Sequence, residues 1–543
     1  MSNSESPQEH PTGQQHAERE GFFRAARLVA ALTVLSRLLG LVRDMVIVPL
    51  GAPRLAAAFW TAFSVPNLFR RLFGEGALSA AFVPVFTEAA ETSGLDRARA
   101  VLANVAGALA AALAGLLVLI ELALVAGWIL LRADPAAATL LQLTAVMLPF
   151  MFTVCLLALG AAALQCRRRF AYPAAAPILL NLGLIAGAKL AAPALARTDA
   201  GRFFVIAAAL VITGVVQLAG VVWVLRRAGL AVVPHLRPVL PEVKRIAALM
   251  GPMLIPLSIP QLSALADRLI AWSFTATPAH PSFPLSPGVV RCQYAASRLY
   301  NFPLGVLAIS VATVIFPLLS RYAAREDIPA LRETINRALR LCLFLGVPAG
   351  VALIALARPA VELIFQRGRF TTGDTDRAVL ILRMYCLGMG AYFCNHILLR
   401  AFFARKDANT PLRIACAMAI LNVLLVLGGI WTPLKAGAIG AATATTSTLN
   451  ALALVAVLRR RLGRLGGGRI LLSLLRTAVA AGVMAVAVLA VQAALAAGPS
   501  WLALAAAVAA GAAAYAVAAL ALRCPEVKEL LRRPGRKDNA ASA

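Results

Sequence analysis

The residues of this chain equipped for chemistry are charges set inside long apolar runs, where an ionised group is costly and faces a wet cavity or a partner. The first run carries three of them in Ser36-Arg37-Leu38-Leu39-Gly40-Leu41-Val42-Arg43-Asp44. At about 100° per residue, Arg37 and Asp44 share a helix face while Arg43 lies about 120° from Arg37, so they form no single stripe. Asp44 is placed to neutralise Arg43 or Arg37 locally. The second run ends in Val65-Pro66-Asn67-Leu68-Phe69-Arg70-Arg71-Leu72-Phe73-Gly74-Glu75-Gly76. There Arg71 and Glu75, at i,i+4, read as an interfacial salt bridge before they read as a substrate contact. Later runs add Asp267 with Arg268, and Arg298. Arg37, Arg43 and Arg298 lie deepest and outnumber the carboxylates near them. Excess guanidinium in a membrane calls for an anion, and the planar fork of Arg suits phosphate oxygens in bidentate fashion. The implied chemistry is the binding of an anionic, phosphorylated substrate.

Covalent catalysis is not indicated. The sequence has no GxxxxGK[ST], HExxH or GxSxG motif, and its five histidines (His10, His16, His235, His280, His396) do not cluster. The eight cysteines (Cys155, Cys166, Cys292, Cys342, Cys386, Cys394, Cys416, Cys524) form no CxxC pair and fall mostly inside apolar runs, as buried thiols do. The longest loops on the side away from the N-terminus, near 276–290 and 359–376, are too short to house a glycosyltransferase centre. Transport without chemistry, and no cofactor, is the expectation.

The elements that must position these charges follow from composition. The 543 residues are 61% hydrophobic, against roughly 45–50% for an ordinary soluble domain, and mean hydropathy is +0.81. A formal charge of +28 suggests nucleic acid, but charged residues are only 14% of the chain and lie between Ala/Leu/Val runs. A polytopic all-α membrane protein accommodates both facts, and no nucleic-acid partner is expected. A bilayer core of about 30 Å takes about 20 apolar residues per helix, and about fourteen such runs can be marked. The first 23 residues are polar and lack the basic-then-apolar order of a cleavable signal, so they read as a disordered cytosolic lead. In alternate loops about 34 basic residues fall on the N-terminal side and about 11 on the other, which makes both termini cytoplasmic.

The chain also reads as duplicated. Phe82-Val83-Pro84, followed by a polar stretch and an apolar run, recurs as Ile315-Phe316-Pro317 at an offset of about 233. Arg167-Arg168-Arg169 with Pro173 and Asn181 recurs as Arg405-Lys406 with Pro411 and Asn422. Two lobes of about six helices in the same orientation follow, a parallel repeat with a C-terminal helix pair outside it. The expected divisions are a lead at 1–23, a first lobe at 24–230, a second lobe with its leading cytoplasmic linker at 231–462, a helix pair at 463–523 and a cytoplasmic tail at 524–543.

The blocks 36–44, 65–79 and Ala81-Phe82-Val83-Pro84 resemble the N-terminal signature of the MurJ (MviN) family. That family comprises lipid II flippases of the multidrug/oligosaccharidyl-lipid/polysaccharide exporter superfamily. Arg298-Leu299-Tyr300-Asn301-Phe302-Pro303-Leu304-Gly305-Val306, Phe365 to Thr371 and Ala401 to Pro411 agree with it too, so the resemblance runs from about residue 24 to 523.

The resemblance implies fourteen helices, two lobes around a cationic cavity, and a terminal pair forming a groove for the undecaprenyl tail. By motif match it implies diphosphate-binding arginines at Arg37, Arg43, Arg70 and Arg298. Asp44, Glu75 and Asn301 would support the cavity or its gate. A cation site would draw on Asp267, Asn422 and Thr445. Ala57, Asn301 and Val426 stand where relatives carry acidic residues, which weakens the case for sodium against membrane-potential coupling. The implied function is movement of lipid II, the undecaprenyl-diphosphate disaccharide-pentapeptide, across the bacterial inner membrane by alternating access. Membrane lipids and peptidoglycan synthases are the implied partners. Alternatives are a flippase for another polyprenyl-diphosphate saccharide, a cation-coupled drug exporter, and a non-transporting membrane scaffold.

Overall fold

The computed structural model describes residues 13–74, 77–131 and 134–527. The lead up to residue 12, Glu75 and the tail from 528 therefore lie outside the described residues. In chain order the first helices are α1 (Gly13–Ile47), α2 (Pro53–Phe69), α3 (Ala77–Thr92), α4 (Gly94–Leu131), α5 (Pro135–Met147), α6 (Phe150–Cys166), α7 (Ala171–Ala186), α8 (Ala192–Leu195), α9 (Asp199–Arg227) and α10 (Pro241–Ser273). They are followed by α11 (Val289–Pro303), α12 (Ile309–Ala324), α13 (Ile328–Ala355), α14 (Ala357–Phe365), α15 (Thr372–Cys386), α16 (Met389–Ala404), α17 (Asn409–Gly429), α18 (Gly437–Leu462), α19 (Gly467–Ala494) and α20 (Ser500–Ala521). Helix α1 begins within the segment read as a disordered lead. Gln14, Gln15, Ala17, Glu18, Arg19 and Glu20 are good helix formers, and polarity alone does not stop them extending a helix that follows.

Among the described residues, ten helical segments are long and apolar enough to cross a membrane, and α15 with α16, bent by 46° at their junction, makes an eleventh when taken as one span. The chain is a multi-pass membrane protein. Three further expected spans fall short of that test: α1, α2 and the α11–α12 pair. Helix α1 carries Arg37, Arg43 and Asp44 along its run, and the other two are interrupted by π turns at Arg70–Gly74 and Leu304–Ala308. Each of these π turns follows a proline, Pro66 or Pro303, which has no N–H to give the helical ladder, and the widened turn lies where the helix re-registers. Pro84 in α3 and Pro317 in α12 follow in turn, so helix, π turn and proline-bearing helix occur in both repeats. All four candidate diphosphate arginines sit on these three interrupted or charged spans.

The duplication also extends to a turn. Helices α6 and α16 end in the same way, with Arg168 at φ 57° and Lys406 at φ 58°. The amide of Arg169 donates to Leu164 O at 2.9 Å, and that of Asp407 to Phe402 O at 3.1 Å, the six-residue closure of a left-handed helix end. In the second turn Asp407 pairs with Arg461 and accepts from the Thr410 amide at 3.0 Å. Burial opposes ionisation of Asp407, but the hydrogen bonds from Thr410 and Arg461 outweigh it and hold the carboxyl below its ordinary range.

The helices group into two compact units, one of residues up to Ile47 with Ala62–Leu254, the other of Val48–Thr61 with the chain from Ile255 on. This differs from the division expected at 230/231. In the first unit the linker after α9 is strapped to α4: Asn104, 1% exposed, donates to His235 O at 3.0 Å and accepts from the Leu240 amide at 2.9 Å. Gly107 is needed there, because a Cβ would overlap the His235 backbone. Arg97 grips Glu242 through two hydrogen bonds of 2.8 and 2.9 Å, and Arg245 meets Glu88 at 2.8 Å, fixing the start of α10.

In the second unit, Val48–Thr61 is held by Arg369, whose amide donates to Pro49 O at 3.0 Å, and by Trp60, which stacks on Tyr294 with ring centroids 3.7 Å apart. The expected separate groove at 463–523 also belongs to this unit. Helix α19 packs on α13, Ala481, Met484 and Val488 cluster with Leu356 and Ala507, and Tyr515 donates to Phe344 O at 2.6 Å. Glu526, expected in the tail, instead turns inward to accept from Ser473 Oγ at 2.9 Å and pair with Arg340 at 3.3 Å.

Candidate substrate and cation sites

In the first unit, α1 presents its charges to α7. Arg43 is 6% exposed and Asp44 fully buried. Arg43 Nη2 and Nε donate to Asp44 Oδ1 at 2.6 and 3.0 Å, and its Nη1 donates to Asn181 Oδ1 at 3.1 Å. Asn181 in turn donates to Ser36 O at 2.9 Å, and the Phe63 ring lies 6.0 Å from the guanidinium carbon. Asp44 pairs with Arg43, and Arg43 through Asn181 ties α1 to α7. Three of Arg43's donor directions are thereby used inside the fold. Arg37, earlier on the same helix, is half-buried. Arg70 opens the first π turn, half-buried, with its Nε donating to Asn67 Oδ1 at 2.8 Å. Glu75, expected to support the gate, lies outside the described residues.

In the second unit, Arg298 on α11 is half-buried with its guanidinium carbon 5.9 Å from the Tyr294 ring centre, the ring that stacks on Trp60. Asn301, one turn on, is exposed and donates to Ser297 O at 2.7 Å. Asp267, 4% exposed on α10, accepts from Asn422 Nδ2 at 2.7 Å, and the same amide reaches Ser263 Oγ at 3.3 Å. Thr446 Oγ1 donates to Ala442 O in its own helix at 2.8 Å and lies 3.4 Å from Asn422 Oδ1. The threonine at this site is therefore Thr446 and not Thr445. One residue turns a helix by about 100°, which leaves Thr445 exposed and points its neighbour at Asn422.

One carboxylate, one amide and two hydroxyls suit a hard cation by donor type. The fully buried Val426 adds no oxygen, and among the described residues no three His, Cys, Asp or Glu side chains gather as a metal cluster. The set fits a hydrogen-bonded clamp joining α10, α17 and α18 better than a charged cage. Thr446→Ala should lower stability by about 1 kcal/mol, the worth of a buried hydrogen bond, while Thr445→Ala should stay within about 0.5 kcal/mol. Thermal unfolding of the two purified variants checks the assignment.

Sequence reasoning missed Arg291. It is fully buried, pairs with Asp374, donates to Arg369 O at 2.9 Å and reaches Gly51 O at 3.4 Å. Asp374 also pairs with Arg377 at 2.8 Å and closes the capping box that starts α15 with Thr371. The available signal was spacing: Arg291 lies about two turns before Arg298 and so near the same helix face.

The family model for lipid II flippase MurJ matches residues 48–507. The chain belongs to the lipid II flippase MurJ family. The probable lipid II flippase MurJ of Vibrio cholerae is 33% identical over 77% of this chain and 79% of its own length. That of Rhizobium meliloti is 34% identical over 88% and 86%, and the lipid II flippase MurJ of Burkholderia cenocepacia 31% identical over 81% and 84%. Among solved structures, a lipid II flippase MurJ in an inward closed conformation aligns with TM-score 0.72 at 21% identity, covering 93% of this chain and all of that one. An inward-facing multidrug resistance transporter of the MATE family aligns with TM-score 0.65 at 16% identity over 81% of this chain and 98% of its own. Both share the fold. The MurJ resemblance read from the motifs is thus upheld across most of the chain, and membership makes it a transporter family protein, not an enzyme.

Proposed function

We propose that this chain moves lipid II from the cytoplasmic to the outer leaflet of the bacterial inner membrane by alternating access. The observation that carries the reading is the MurJ family match over residues 48–507. Arg37, Arg70 and Arg298 engage the diphosphate, each held on a charged or π-interrupted span. Arg43 contributes mainly by fixing α1 through Asp44 and Asn181. The exposed stripe Leu475, Val479, Val483 and Val486 on α19 offers the polyprenyl tail an apolar track. Both termini face the cytoplasm, as the loop charge asymmetry favours.

Membrane potential resets the cationic site, at about 2.3 kcal/mol per charge per 100 mV. Sodium at the Asp267 clamp is the alternative coupling, and peptidoglycan synthases are the proteins expected to consume the product. The second reading, another polyprenyl-diphosphate saccharide, rests on the same phosphate chemistry. The test is depletion of a host's own flippase with this chain supplied in its place, following lipid II exposed at the outer face. Restored exposure supports the reading; lipid II that stays confined to the inner leaflet while the chain is inserted and folded overturns it.

A further inference from the structure

Helix α4 is long and apolar enough to cross a membrane, and its apolar run carries an acid, Glu121. That residue lies about 15 Å along the axis from Leu131, where the helix ends, and about 25 Å from Asn104, where the linker is strapped on. A hydrocarbon core of about 30 Å crossed by α4 therefore encloses it. Asp44 is answered by Arg43 and Asp267 by Asn422. Among the described residues nothing donates to Glu121 or pairs with it. An ionisable group inside a membrane marks a functional contact, with a cation or a donor expected opposite it.

The shape of that contact is written on α4. Leu109 and Leu113 are buried where the helix packs with α3, α5 and α6. The uncovered side presents Ala111, Gly115, Val118, Leu122, Val125 and Ile129, all exposed. Their spacing alternates between four and three residues, the rhythm of a seam that a second helix fills knobs into holes. Membrane helices pair mostly in this geometry. From Ala111 to Ile129 the seam is about 27 Å long, the height of a whole span and not of a loop or a lipid headgroup. A Cβ on Gly115 would meet nothing within 4 Å, so the seam is open to close approach. Glu121 immediately precedes Leu122, on the flank from which charged side chains select the partner in coiled coils. A second copy of this chain, parallel to the first, would set Ala126 opposite Glu121 and supply no cation.

We propose that this face of α4 receives a transmembrane helix of a partner protein, one whose lysine or arginine meets Glu121 inside the bilayer. The contact is apart from the residues proposed for the flipped substrate, so it stands or falls independently of that function. The test uses the purified full chain in phosphatidylcholine vesicles. Energy transfer is measured to a synthetic Leu/Ala membrane helix with one central lysine and, in parallel, to the same helix with leucine there. The lysine helix should bind about tenfold more tightly, the worth of one polar contact between membrane helices. Glu121→Leu should remove that preference, and Glu121→Gln, which keeps an acceptor and loses the charge, should retain only part of it. Both variants should melt no lower than the wild type, because no internal partner is lost. A photoactivatable group beside the lysine should label the wild-type chain within 111–129. Equal binding of the two helices, a lysine preference that survives in the folded Glu121→Leu chain, labelling only outside α4, or self-association that depends on Glu121 would each overturn the proposal.

Discussion

Arg43→Ala and Asp44→Ala should each destabilise the protein by about 3–5 kcal/mol, the cost of leaving one member of a buried ion pair without the other. The reason is geometric. Asp44 is fully buried and its Oδ1 accepts twice from Arg43, so removing the guanidinium takes two charge-assisted hydrogen bonds from a buried carboxylate. Removing Asp44 takes away the carboxylate that answers the Arg43 charge, while the neutral amide of Asn181 still accepts from Nη1. Because Asn181 also holds Ser36 O, either change loosens α1 from α7 over about two turns. Replacing both charges at once, as Arg43→Met with Asp44→Leu, should recover much of the loss, since a buried pair exchanged for apolar groups of like volume is often neutral. Arg37→Ala, at a half-buried position, should cost less than either single change. Thermal unfolding of the purified proteins checks the order. A wild-type melting temperature for Arg43→Ala would show that the guanidinium serves the substrate and not the fold.

The parts legible in the sequence are those that depend on composition and repetition. Apolar run length marks the spans, and the Arg168 and Lys406 turns recur at φ 57° and 58° where the basic clusters recur. Pairing is legible only in part, because a helical wheel says which face a residue takes and not which neighbour is across from it. Asp44 has two arginines on its own helix, and its pairing with Arg43 is completed by Asn181 arriving from α7. Thr445 and Thr446 differ by one position in a run of threonines, and only the packing of α17 on α18 decides which is inside. Arg291 is hidden for a different reason. Its partner Asp374 is 83 residues away and caps a helix whose first turn reads as the end of a loop. The grouping of Val48–Thr61 with the second unit has the same origin, in contacts such as Trp60 on Tyr294 that no local pattern encodes.

Arg37→Ala combined with Arg298→Ala should abolish support of growth when a host's flippase is depleted, while leaving the chain folded. Both residues are half-buried, so truncation opens no sealed cavity. Under the proposed function it removes charge-assisted hydrogen bonding to phosphate, about 1.5–3 kcal/mol for each arginine, or roughly ten- to a hundredfold in binding apiece. Lysine at both positions separates charge from geometry: it keeps the cation and loses the bidentate fork, so partial support is expected. The measurement is growth together with lipid II exposed at the outer face, read against the melting temperature of each purified variant. A scaffold that does not transport would tolerate the double alanine change, and a cation exporter would have no use for either guanidinium. Full growth of the folded double variant would therefore remove the diphosphate from the mechanism, whichever saccharide the lipid carries.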